Sequence, residues 1–119
     1  MKLVLTPVDF GAGDTGIEKL FLGEWCLASN ADYFDPKIPK SNVLSYHWDN
    51  REKMYSDYGY LNRVFAKVLP ALSISMNHAL NVNRSVGYWE ILVGPWLNEF
   101  LHVVYDRFCS IESACDQYK

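Results

Sequence analysis

The sequence has no excess of basic residues. Lys plus Arg number 11 against 14 Asp plus Glu, a formal net charge of -3. Electrostatically driven nucleic-acid binding is therefore disfavoured. No run approaches the ~18 apolar residues a membrane span needs. The start, Met1 to Pro7, has too short an apolar core for a secretion signal. Cysteine is sparse, at three residues with no CxxC pair, so Cys26, Cys109 and Cys115 read as free thiols in a reducing cytoplasm. His47, His78 and His102 are far apart and form no HxxxH, so no metal site is expected. There is no internal repeat, no low-complexity tract and no GxSxG nucleophile elbow.

What the chain has is aromatic residues. They make up 15% of the 119 residues, with four Trp and eight Tyr, many beside polar neighbours as in Tyr46-His47-Trp48-Asp49. Aromatics of this kind pack cores and seek partners for their polar edges, or else offer a stacking surface. Half the residues are hydrophobic and 21% are charged, a globular composition.

The first half reads as short strands and loops. Leu3 to Thr6 is a short apolar run ended by Pro7, Leu20 to Leu27 a second strand, and Val43 to Tyr46 a third. Gly11-Ala12-Gly13-Asp14-Thr15-Gly16 fits GxGxxG, but the chain enters the Leu20 run too soon for the crossover helix a dinucleotide site requires. Residues 28–42, with Asp35-Pro36 and Pro39, read as irregular surface chain.

The second half reads as helix. Asp49 is the expected N-cap, with Glu52 three residues on. Met54, Tyr58, Leu61, Phe65, Val68, Leu72 and Met76 form one helical face, with Lys53, Asp57, Arg63 and Lys67 off it. Pro70 is expected to bend this helix near Ala66. A second helical stretch starts at Asn83 or Ser85, and Gly94-Pro95 is expected to break it. From Trp96 to Phe108 apolar residues cover more than half the circumference, so this helix expects neighbours on several sides.

Together these readings give an α/β fold: a small parallel sheet of short strands in the first half, followed by long helices. The strand and loop part covers residues 1–47 and the helical part 48–119. The candidate chemistry lies where strands end. Glu24-Trp25 ends one strand and His47-Trp48 another, and in open α/β sheets ligands bind outside the carboxyl ends of strands. Trp25 and Trp48 are candidate stacking residues for a sugar, Glu24 or His47 a candidate base for an acceptor hydroxyl, and Asp49 and Arg51 further binding candidates. Competing with this are core packing for the Trp rings and helix capping for Asp49.

Four blocks occur in order: Phe21-Leu22-Gly23-Glu24-Trp25-Cys26, Tyr46-His47-Trp48-Asp49-Asn50-Arg51-Glu52-Lys53, Tyr88-Trp89-Glu90-Ile91-Leu92-Val93-Gly94-Pro95-Trp96-Leu97 and Tyr105-Asp106-Arg107-Phe108. This order resembles the N-terminal region of a leptospiral-type transferase family from bacterial O-antigen and surface-carbohydrate clusters. Asn50 stands where the family pattern has an acidic residue, and Glu90 where it has a basic one. The resemblance implies the N-terminal segment of a longer, glycosyltransferase-like cytoplasmic enzyme, incomplete alone. It implies no cofactor in this segment and a nucleotide-sugar donor for the full-length protein. The implied partners are the missing C-terminal region or a second copy, and a sugar acceptor, with no nucleic acid. Two rivals stand beside it: a non-catalytic helical interaction module and a truncated inactive remnant.

Overall fold

A computed structural model describes residues 2–4, 18–27 and 42–117. The glycine-rich segment 11–16 and the irregular segment 28–41 lie outside the described residues. Two long helices dominate: α1, Arg51–Leu80, and α2, Val86–Gln117, with 30 and 32 residues. Among the described residues, strand structure is confined to β1, Lys2–Val4, and β2, Lys19–Phe21, each of three residues. The expected α/β sheet fold is thereby overturned, and the described residues are mostly helical. The physical reason lies in the apolar runs. Leu20 to Leu27 is extended only through Phe21 and then coils into a 3₁₀ helix over Glu24–Leu27. Val43 makes only a single bridge, to Phe21.

The chain divides into two compact units, residues 1–49 with 108–119, and residues 50–107. In the first, β1 and β2 run parallel with Leu3 opposite Leu20. Leu20, Phe21, Leu22, Cys26 and Ala114 form its core, with Trp25, Val43 and Leu44 packed against them. A Cβ at Gly23 would overlap the Trp25 ring, so any side chain here requires that ring to move off the core.

The second unit is a helical hairpin. The cap of α1 is Asn50, one residue later than expected: its Oδ1 accepts the Lys53 N–H at 3.1 Å from an extended backbone (φ -74, ψ 104). Asp49 instead closes a 3₁₀ turn, its N–H donating to the Tyr46 carbonyl at 3.1 Å. The buried row of α1 is Asp57, Leu61, Leu69 and Ser73, with Phe65 partly buried between them. Asp57, expected off the apolar stripe, is buried and Tyr58 is exposed. Neither internal proline ends its helix. Pro70 and Pro95 are exposed, as are Ala66 and Ile91 four residues before them, whose carbonyls lose their helical donors. Gly94 also lacks the Cβ that disfavours helical backbone before a proline. Its Cα side lies open to α1, where a Cβ would stand 3.6 Å from the Phe65 ring.

The turn between the helices is closed by two devices. Asn81 takes the left-handed conformation (φ 51), with its N–H donating to the His78 carbonyl and the Val82 N–H to the Asn77 carbonyl. This pattern satisfies the last carbonyls of a helix. The Asn77 side chain then fixes the start of α2. Its Oδ1 accepts the Arg84 N–H at 3.0 Å and the Trp89 Nε1–H at 2.9 Å, and its Nδ2 donates to the Arg84 carbonyl at 2.8 Å. Ser85 caps α2 by accepting the Tyr88 N–H at 3.2 Å.

Asn50→Ala should lower stability by about 1 kcal/mol, the usual loss for an N-cap side chain, while Asp49→Ala should change it little. Paired chemical denaturation curves check the order. Asn77→Ala should cost about 2–4 kcal/mol, because it strands the indole N–H of the buried Trp89 and frees the Arg84 backbone. Asn77→Asp keeps the acceptor and should cost less; equal losses in thermal melts would remove the indole bond as the reason.

Candidate functional site

The first unit holds five of the six sequence-derived candidates. Glu24 and Trp25 lie on the 3₁₀ helix Glu24–Leu27, and His47, Trp48 and Asp49 on the 3₁₀ helix His47–Asp49. Arg51 stands in the first turn of α1, in the second unit, exposed, with its guanidinium 3.4 Å from the Met54 sulfur. Glu24 and Asp49 are exposed, while Trp25, His47 and Trp48 are partly buried.

Local pairing explains how the two blocks start together. Val43 bridges Phe21 in the parallel sense, and the Leu44 N–H donates to the Phe21 carbonyl at 2.9 Å. Both chains therefore leave this point in the same direction, one towards Glu24 and the other towards His47. Their aromatic groups differ in setting. The Trp25 ring packs on the core and over Gly23. Tyr46, His47 and Trp48 form a cluster of rings: Tyr46 to His47 at 5.1 Å, His47 to Trp48 at 4.8 Å, and Tyr46 to Trp48 at 6.0 Å edge to face. Tyr46 is exposed, so this cluster presents a ring to solvent beside an imidazole.

The sequence reading missed two groups. A ring nitrogen of His47 and the sulfur of Cys109 lie within 4.8 Å of each other. A nitrogen and a sulfur this close are near enough to ligate one metal ion after small side-chain adjustments. Nothing local marks this pair, since 61 residues separate its members and only the fold brings them together. In the second unit, Asp57 is 9% exposed, accepts the Tyr105 hydroxyl at 3.0 Å and pairs with Lys53. Lys53 also sits 5.7 Å from the centre of the Tyr105 ring. This network is visible in the sequence only as a carboxylate four residues before Leu61 on the buried row.

The profile of the LIC12162 family transferase matches residues 1–119. The class is thus that of a transferase, and the chain belongs to the LIC12162 transferase family. No curated protein and no solved structure matches the chain. Among the described residues, no helix is long and apolar enough to cross a membrane.

Cys26 and Cys109 are buried and Cys115 is exposed. A thiol-reactive chromophore should therefore titrate one cysteine quickly in the native protein and all three in denaturant. Rapid native labelling of Cys109, read by peptide mapping, would contradict its burial.

Proposed function

We propose that this transferase acts on carbohydrate, in a glycosyltransferase-like step of bacterial surface-polysaccharide or O-antigen assembly in the cytoplasm. On this reading the chain is the N-terminal, acceptor-side segment of a longer enzyme. The nucleotide-sugar donor would be held by the rest of that enzyme. The observation that carries the reading is the Tyr46, His47 and Trp48 ring cluster, with Tyr46 exposed. A sugar face offers C–H groups to an aromatic ring, and its hydroxyls need polar groups alongside. His47 is one candidate base for an acceptor hydroxyl, and Glu24, on the other 3₁₀ helix of the same unit, is the alternative base. Trp48 and Trp25 are the stacking candidates and Asp49 the polar one, all within the first unit.

A second reading, a non-catalytic helical interaction module, is favoured by one observation only: an exposed apolar row on α2. The two readings use different units and are not exclusive.

Saturation-transfer NMR with free hexoses and N-acetylhexosamines tests the carbohydrate reading. Transfer to the sugar ring protons is expected, and Tyr46→Ala and Trp48→Ala should each weaken it while Ile91→Glu leaves it unchanged. Absence of transfer at millimolar sugar, or transfer indifferent to both ring deletions, would sink the acceptor site.

A further inference from the structure

Leu92, Trp96, Phe100 and Val104 follow one another at intervals of four along α2, and all are exposed, at 61, 59, 47 and 50%. At 3.6 residues per turn such residues form one continuous ridge inclined to the helix axis. Val103, 48% exposed, lies beside it. The Trp96 and Phe100 rings are stacked, with centroids 5.1 Å apart and planes 17° from parallel. Within this stretch the only charged residue is Glu99, at the ridge's border. All of these residues belong to the second unit.

We infer that this ridge is the docking surface for a second copy of the chain. Two arguments select that occupant, and a third excludes an anionic lipid surface. The first is shape. A ridge of residues four apart packs into the groove beside an identical ridge, at a crossing near -50°. A second copy brings the same ridge, and a two-fold axis places each in the other's groove. The second is area. The exposed fractions applied to side chains of ~150–250 Å² for the aromatics, and less for the aliphatics, leave about 500 Å² of apolar surface. Since the core of an interface is about 65% apolar, this corresponds to roughly 750 Å² per copy, close to the ~800 Å² of a stable complex. The third is charge. α2 carries Glu90, Glu99, Asp106, Glu112 and Asp116 against Arg107 alone. That composition is the reverse of the basic face with which an interfacial helix meets anionic lipid. The stacked rings also lower the ordering cost, because each already limits the other's rotamers before contact.

The test uses the full chain in analytical ultracentrifugation across a concentration series. A reversible dimer is expected. Trp96→Glu and Phe100→Glu lie at exposed helical positions, so helicity and melting temperature should hold while the dissociation constant rises by at least ~30-fold, the scale of an interface hot spot. Ile91→Glu is the control: Ile91 is exposed but projects about 100° away from Leu92, off the ridge, and should leave the dimer intact. A wild-type monomer throughout the series, or equal loss of the dimer in Ile91→Glu, would overturn the inference. So would flotation of monomeric protein with phosphatidylcholine vesicles that Trp96→Glu abolishes, since that makes the ridge a lipid surface.

Discussion

The hairpin of the second unit depends on one side chain amide. Asn77 lies in the last turn of α1, yet three of its polar contacts are made to residues that start α2: both backbone groups of Arg84 and the indole of Trp89. A two-residue error in the turn would withdraw all three at once, and would leave the indole N–H of a buried ring without an acceptor. Register follows from this. With Asn77 against Trp89, the antiparallel course brings Gly94 to Phe65, His102 to Tyr58 and Tyr105 to Asp57. The ring contacts and the buried carboxylate are consequences of the turn being held in a single geometry.

Asp57 shows what that register makes tolerable. A buried carboxylate is costly unless its charge and lone pairs are met. Here Lys53 meets it from one helical turn earlier on α1, and Tyr105 reaches it from α2. The pairing specifies alignment, since a slip of one helical turn would separate the hydroxyl from the carboxylate. A hydrophobic residue in its place would pack in more than one register.

These facts explain which parts of the fold were legible in the sequence. Of the expected face from Met54 to Met76, Leu61 is buried and Met54, Phe65, Val68, Leu72 and Met76 are partly buried, but Tyr58 is exposed and the fully buried row runs through Leu69 and Ser73, so apolar periodicity located the helix and set its face only to within one residue. Asp57 was not legible, because its burial depends on Lys53 and on Tyr105, 48 residues away. The cap was misplaced by one residue since Asp49 and Asn50 are both good caps, and only the backbone at Asn50 decides between them. Pro95 was read as a break, whereas α2 continues through it, helped by the missing Cβ of Gly94 before the proline. The sheet was over-read for a related reason: an apolar run of eight residues around Leu20 has no period that separates strand from buried 3₁₀ turn. Of the candidate site, the sequence displayed Tyr46, His47 and Trp48 as neighbours by chain order alone. The approach of Cys109 to His47 is a product of the fold and had no local signal.

The two exposed aromatic surfaces differ in their chemistry, and that difference separates the roles assigned to them. Tyr46 stands beside an imidazole and three residues from Asp49, so hydroxyls on a ligand would find hydrogen-bonding partners at its edge. The Leu92, Trp96, Phe100 and Val104 ridge has no such partner within it. A sugar placed there would lose hydration of its hydroxyls without compensation, which costs more than the ring contact returns. An apolar helix face carries no such debt, because its side chains gain by leaving water. Aromatic content alone therefore assigns neither surface. The polar atoms around each ring make one suited to a carbohydrate and the other to protein.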